Sequence, residues 1–403
     1  MTPRVEEGNM ERDISDAGHH PKAPAAQRSF MPDFKLAAAG LMLAGALFSV
    51  AAHAGYLQTN LVSNVPGQAA FTDPNLINPW GMAYSATSPF WVSDNGTGVS
   101  TLYDGSGIKQ ALTVTIPPPA AGVPARPTGQ VFNAGAGFNG DRFLFATEDG
   151  TIAGWRGALG TSAELVVNNS GLGANYKGLA IGSNGAATFL YAANFQAGTI
   201  DVYDSIFAPA ALPGGFIDPT LPSGYAPFNI HNLGGSLYVT YALQDASAQD
   251  DVAGPGHGYV DVFDTSGNLL RRLISGGVLD SPWGVALAPA DFGEFSNDLL
   301  VGNFGDGLIN AFDPLTGALL GTLKDGKGNP ILIDGLWALG FGNGAGAGLG
   351  NELFFTAGPN GEQDGLFGKL SSVPEPSTSF LLGLGFVALN FTALRRNKPG
   401  HPD

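Results

Sequence analysis

Between Tyr56 and Leu370 the apolar residues come in short runs. "FWVSD" (Phe90–Asp94), "FLFAT" (Phe143–Thr147) and "LLVGN" (Leu299–Asn303) are separated by clusters of Gly, Asn, Asp and Pro. Runs this short, rich in aromatic and β-branched residues and bounded by turn formers, predict strands rather than helices. The runs also repeat. "NPWGMAYSATSPFWVSDNGTGVSTLYDGSG" from Asn78 and "SPWGVALAPADFGEFSNDLLVGNFGDGLINAFDPLTG" from Ser281 share one phrase: Pro-Trp-Gly, strand, turn, strand ending in Asn, Gly-rich turn, third strand. Further copies begin at Pro127, Tyr176, Pro227 and Leu336. The copies are about fifty residues apart, the period of propeller blades.

A fourth strand is expected between copies at Ala111–Pro117, Ala163–Asn169, Leu269–Ser275 and Leu319–Asp325; between the third and fourth copies it is obscure. The last copy stops at Leu370 without one. Upstream of the first copy lies an orphan strand, "YLQTNLVSN" (Tyr56–Asn64). Pairing the orphan with the last copy closes a ring and protects sheet edges. The expected fold is therefore all-β, a six-bladed β-propeller over residues 55–372 closed by an N-terminal strand. An open solenoid of hairpin units is the alternative.

Composition agrees. Charged residues are only 13% and glycine reaches 60 of 403 residues, which suits tight turns and not helices. A net charge of −16 argues against nucleic acid and against anionic lipid surfaces. The absence of cysteine excludes disulfides, thiolate metal sites and a cysteine nucleophile.

The two ends carry different information. "KLAAAGLMLAGALFSVAAHA" (Lys35–Ala54) is an apolar stretch ending in small-x-small, with Ala52 and Ala54 around His53. It reads as a signal peptide cut after Ala54, so that residues 1–54 are leader; translation from Met31 instead of Met1 would give a more usual n-region. At the other end "VPEPS" (Val373–Ser377) precedes an apolar run, Phe380–Leu394, and then Arg395, Arg396 and Lys398. The run is short for a full membrane crossing, and the basic residues should stay cytoplasmic.

Pro374, Glu375 and Pro376, the apolar run and the Arg-Arg pair together resemble the PEP-CTERM sorting signal of Gram-negative bacteria. That resemblance implies a sorting helix within residues 373–403, transient membrane insertion, processing by an exosortase, and a destination at the cell surface or in the extracellular matrix, where such proteins accompany exopolysaccharide. The blade phrase resembles the broad NHL-like propeller group, and the whole chain resembles uncharacterised PEP-CTERM proteins with this propeller.

Aligning the copies places Trp80, Thr128, Lys177, Phe228, Trp283 and Trp337 at the starts of the innermost strands. It places Asn95, Glu148, Asn194, Tyr241, Asn303 and Ala357 at the ends of the second strands. Trp80, Trp283, Trp337 and Tyr241 are candidate ligand-binding residues because flat aromatic faces suit sugar rings, and Lys177 is a further candidate in the same ring as the tryptophans; tryptophans wedging blades together are the structural alternative. Glu148, Asn95, Asn194 and Asn303 are candidate ligands for Ca²⁺, which takes oxygen donors, and this set resembles the metal site of gluconolactonase-type propellers. Asparagines that merely cap turns are the alternative. The longest insertion, Gln244–Gly258, is acidic and should overhang the same mouth.

The sequence contains no Gly-x-Ser-x-Gly elbow, His-Glu-x-x-His or phosphate loop. Only His231 and His257 lie in the expected mature domain. Two functions remain. One is an exported, non-catalytic propeller binding exopolysaccharide or another surface partner. The other is a Ca²⁺-dependent hydrolase or lyase of lactonase type, for which Asp94, Asp149 and Asp306 are candidate bases.

Overall fold

A computed structural model describes residues 55–373. The expected signal peptide, its cleavage residues Ala52 and Ala54, and the sorting residues from Pro374 to Arg396 lie outside the described residues. Among the described residues no helix is long and apolar enough to cross a membrane.

The chain enters on β1 (Gly55–Ser63) and β2 (Phe71–Thr72) and then lays down six antiparallel sheets in succession. Blade 1 is β3 (Pro79–Ala83), β4 (Phe90–Asp94), β5 (Val99–Tyr103) and β6 (Lys109–Thr115). Blade 2 is β7 (Pro127–Phe132), β8 (Phe143–Thr147), β9 (Thr151–Trp155) and β10 (Glu164–Asn168). Blade 3 has three strands, β11 (Tyr176–Ser183), β12 (Thr188–Asn194) and β13 (Thr199–Tyr203). Blade 4 is β14 (Tyr225–Leu233), β15 (Ser236–Leu243), β16 (Tyr259–Phe263) and β17 (Leu269–Ser275). Blade 5 is β18 (Pro282–Leu287), β19 (Leu299–Asn303), β20 (Ile309–Phe312) and β21 (Leu319–Thr322). Blade 6 is β22 (Leu336–Phe341), β23 (Leu353–Ala357), β24 (Leu366–Val373) and then β1, with β2 at its edge.

The orphan strand therefore completes the last blade. β1 runs antiparallel to β24 from Gly55↔Val373 to Ser63↔Leu366. The obscure fourth strand of blade 3 is replaced by a loop. Ala210 N–H donates to Val202 O at 2.8 Å, and Phe216 packs its ring 5.6 Å from Tyr191 and 5.3 Å from Phe263. An aromatic side chain fills the space that a strand's side chains fill elsewhere.

Burial follows from alternation. Each blade offers two apolar faces, and six clusters fill the spaces between consecutive blades. The cluster joining blade 6 to blade 1, with Phe354 and Phe367 against Phe90, Val92 and Tyr103, closes the ring. A seventh cluster lies on the axis: Trp80, Phe195, Phe228, Trp283 and Trp337, with Ala226, Ala242 and Ala338.

The repeated Pro-x-Gly phrase has a steric cause. The glycine lies where adjacent inner strands touch. A Cβ on Gly81 would stand 2.5 Å from Thr128 O, and one on Gly284 would stand 2.5 Å from Trp337 O. Blade 4 has Asn229 at this position, and its amide donates to Trp283 O at 2.8 Å instead. Gly284→Ala is therefore expected to push blades 5 and 6 apart and cost about 1–3 kcal/mol, the usual penalty for overpacking. Urea unfolding with an unchanged m-value measures it; a neutral result would show that the inner strands have room to spare.

Candidate functional site: the charged mouth of the propeller

In every blade the ladder between the first and second strands slips at one place. The shifts fall between Pro79 and Met82, Pro127 and Gln130, Tyr176 and Gly178, Pro227 and Asn229, Pro282 and Gly284, and Leu336 and Leu339. The residues carried by these bulges are Trp80, Thr128, Lys177, Phe228, Trp283 and Trp337, the six expected at the inner-strand starts. A bulge re-aims a side chain, and here several of these side chains converge on the axis.

Convergence is so complete that the tryptophans have no free faces. Trp80, Trp283 and Trp337 are each 1% exposed. Trp80 stacks on Trp337 with centroids 3.5 Å apart, Phe304 stacks on the far side of Trp337 at 4.0 Å, and Trp283 meets both tryptophans edge-on. These rings plug the channel, and in this arrangement no sugar can stack on them. Tyr241 is also buried, in the cluster between blades 3 and 4 and not at the mouth.

The second ring needs a different correction. Pairing aligns Asp94, Thr147, Asn194, Tyr241, Asn303 and Ala357 opposite the inner-strand starts. Asn95 and Glu148 belong one residue later, in the row of Phe195, Ala242, Phe304 and Gly358. A shift of one residue turns a side chain to the other face. Asn95 and Glu148 meet, with Asn95 Nδ2 donating to Glu148 Oε2 at 2.9 Å. Asn194 and Asn303 do not join them. Asn194 donates to Asp201 at 3.0 Å, and Asn303 donates to Val278 O at 2.8 Å and Asp306 at 3.0 Å, within their own blades. The four proposed Ca²⁺ ligands are thus split between two rows. Among the described residues no group of three or more His, Asp or Glu side chains has the arrangement of a metal site.

An ammonium occupies the place given to a cation. Lys177, 2% exposed, places Nζ 2.9 Å from Glu148 Oε1 and 3.0 Å from Asp250 Oδ1, above the Trp80 ring at 5.2 Å. Asp250 arrives from the long insertion, which does overhang this mouth. Asp245 holds the insertion's turn by accepting from Gln249 N at 2.9 Å, and Asn175 Nδ2 donates to Gln249 O at 3.1 Å. Burial alone would raise the Glu148 carboxyl. The Lys177 and Arg126 charges, with hydrogen bonds from Lys177 and Asn95, outweigh it and hold Glu148 below its ordinary value. Burial would lower Lys177, and Glu148 and Asp250 outweigh it, so the amine stays above its ordinary value. The pair is charged across the neutral range.

The candidate bases are occupied elsewhere. Asp94 is buried within blade 1 and accepts from Thr101 Oγ1 at 2.7 Å; burial raises it well above the carboxylate range. Asp149 accepts the Arg126 N–H at 2.8 Å at the rim. Asp306 accepts from Asn303 and from Leu308 N within its turn.

Sequence reasoning missed Glu362. It is the last residue of a short helical turn after β23 (Pro359–Glu362), with φ at 66°, a left-handed value that non-glycine residues rarely take. Burial, and then the Glu148 carboxylate, push its pKa up to about 7. A signal existed in "PNGEQDG", where Asn-Gly marks a turn, but nothing in the chain order ties that turn to Glu148. Because the folded carboxyl titrates above its unfolded value, Glu362 binds more protons in the native state between about pH 4 and 7. The contribution of Glu362 to stability therefore falls as pH rises through that window. Glu362→Gln should remove this slope and stabilise the protein by about 1–2 kcal/mol at pH 8 while changing little at pH 4. Denaturant melts at the two pH values check this; an equal effect at both would mean the charge is not the cause.

Comparison with known proteins adds family and motif. Residues 372–396 match the PEP-CTERM protein-sorting motif. The chain is 36% identical over 331 residues to the uncharacterized protein R648 of Acanthamoeba polyphaga mimivirus, covering 77% of this chain and 78% of that one. It is 36% identical over 334 residues to the uncharacterized protein L690 of the same virus, covering 77% and 84%. A Bacteroides thetaiotaomicron structural genomics protein of unknown function superposes with a TM-score of 0.50 at 11% identity, over 80% of this chain and 77% of that one. Identity and coverage of this order mean that the chain belongs to the family of R648 and L690, and its C-terminal segment carries the PEP-CTERM sorting motif.

Proposed function

We propose that this is an exosortase-processed propeller that acts at the cell surface or in the matrix as a binding module. In this reading the mouth around Glu148, Lys177 and Asp250 recognises a hydroxyl-rich partner, an exopolysaccharide. The observation that carries it is the layering of this mouth. A sealed aromatic floor lies beneath a ring of carboxylates, amides and cations, and the outermost members stay open to solvent: Asp250 at 73% and Arg126 at 54%. Such a rim offers many hydrogen-bonding groups to a polymer that passes over it. The sorting motif supports the location, since it implies export and exosortase processing; transient membrane insertion of the C-terminal run belongs to the same proposal.

The lactonase-type alternative draws on Glu362, a carboxyl on a left-handed backbone position whose pKa burial and then the Glu148 charge push up to about 7, which is the kind of group that general acid–base chemistry uses. It needs Ca²⁺ where Lys177 now lies. Affinity electrophoresis of the purified exported protein through gels containing exopolysaccharide separates the two readings. Retardation that disappears in Arg126→Ala/Asp250→Ala supports the binding module. Unretarded wild type, together with a Ca²⁺-dependent rise in melting temperature reversed by EDTA, would overturn it in favour of the enzyme.

A further inference from the structure

The aromatic plug seals the channel at the bulged ends of the inner strands. At their other ends the strands leave a cavity of about 530 Å³. All six blades line it, through residues such as Met82, Val131, Ile181, Leu233, Val285 and Phe341. The size falls within the range of small-molecule sites, about 300–1,000 Å³. No Asp, Glu, Lys or Arg lines it, although the chain carries a net charge of −16.

One polar ring stands out in this lining. His231 lies on β14 with its ring edge-on to Trp283, centroids 6.3 Å apart. The other polar side chains are engaged, except that the buried Gln130 Oε1 has no hydrogen-bond partner. Gln130 Nε2 donates to Gly81 O at 2.9 Å, Asn232 Nδ2 to Ile181 O at 2.9 Å, and the Tyr84 hydroxyl to Phe341 O at 2.6 Å. Desolvation lowers the pKa of the half-buried His231 imidazole to about 4, so at neutral pH it is an uncharged ring offering one donor and one acceptor to the cavity. A polar group without a protein partner in an apolar cavity loses free energy unless water or a ligand meets it.

We propose that this second mouth is a binding site for a small uncharged ligand, an aromatic or alicyclic molecule with one hydrogen-bonding group that meets His231. A mostly apolar wall with a few placed polar groups is the usual composition of a small-molecule pocket. A charged ligand would lose its hydration and find no counter-ion in the lining. The site is separate from the charged mouth, because the tryptophan plug lies between them. It therefore stands or falls independently of the exopolysaccharide reading.

The test uses the neutral fluorophore N-phenyl-1-naphthylamine with the purified protein. The expected result is saturable enhancement at one probe per chain. Binding should weaken at least tenfold in Val131→Lys, which puts a charge in the wall, and at least threefold in His231→Phe. Leu315→Ser, which removes a 75%-exposed leucine elsewhere, should leave binding unchanged. Should Val131→Lys fail to fold, Leu287→Lys at the 49%-exposed rim replaces it with the same expectation. Non-saturable enhancement, or full binding by folded lysine variants, would overturn the site. Full binding by His231→Phe would overturn the histidine anchor.

Discussion

Removing β1 is expected to abolish the folded monomer. Tyr56, Leu61 and Val62 are at most 4% exposed. Tyr56 enters the cluster between blades 5 and 6, stacking 4.7 Å from Phe292 while its hydroxyl accepts the Phe295 N–H at 3.2 Å. Leu61 and Val62 enter the cluster between blades 6 and 1. One strand thus supplies apolar groups to both sides of the last blade. At about 1.5–3 kcal/mol for each buried side chain, their loss alone amounts to roughly 5–9 kcal/mol, against a typical domain stability of about 5–15 kcal/mol. Truncation also exposes β24 as a free edge, which invites association. Chains starting at residue 65 should elute as aggregates and lack a cooperative melt. A peptide of residues 55–64 added in trans should restore part of the monomer peak. A monomeric, cooperatively melting truncation would mean that blade 6 is stable with three strands.

Trp337→Ala should give the largest effect of any single substitution. Its ring contacts Trp80, Trp283, Phe228 and Phe304, with centroids 3.5 to 5.9 Å away, and Nε1 donates to Asn78 Oδ1 at 3.0 Å. Large-to-small changes of buried tryptophan cost about 3–5 kcal/mol through lost transfer energy and the cavity left behind. The Asn78 acceptor also loses its indole donor. Trp337→Phe keeps most of the volume and should recover more than half of the loss. Equilibrium urea unfolding measures both. A cost below about 1 kcal/mol for Trp337→Ala would mean that the plug collapses freely, and the channel would not be the rigid partition between two mouths described above.

The ring and its closure were legible because they rest on local signals. Pro-x-Gly records two steric facts at once: a bulge that turns x to the axis and a glycine that lets neighbouring inner strands touch. Three blades carry that phrase in full and three carry variants of it; six such repeats, with one strand missing at the end and one spare at the start, leave little freedom in the topology. The functions of the ring residues were less legible. A tryptophan at the mouth of an open channel and a tryptophan plugging it have the same sequence. What separates them is how many neighbours share the bulge position, and here Trp80, Trp283, Trp337 and Phe228 share it. The proposed metal set is split between two rows for a period-two reason: Asn95 and Glu148 were aligned with Asn194 and Asn303 across a one-residue offset. The link from Lys177 to Asp250 spans 73 positions, and no local pattern carries it. The second cavity was invisible because Met82, Val131 and Ile181 are ordinary inner-strand residues; only His231, a lone imidazole among them, marked the place.

Closure of the ring by the leading strand can be read directly by cross-linking. The chain has no cysteine, so a single engineered pair reports without interference. Leu57 lies opposite Ser371 in the β1–β24 ladder, and directly opposed antiparallel residues bring Cβ atoms to about 4.5–5.5 Å, close enough for a disulfide after small adjustment. Leu57→Cys/Ser371→Cys is expected to oxidise within a monomer and give a disulfide-linked peptide by mass spectrometry, whereas Leu57→Cys/Leu315→Cys is expected to remain reduced. A reduced first pair, or a link only between two chains, would contradict a wheel closed by its own first strand.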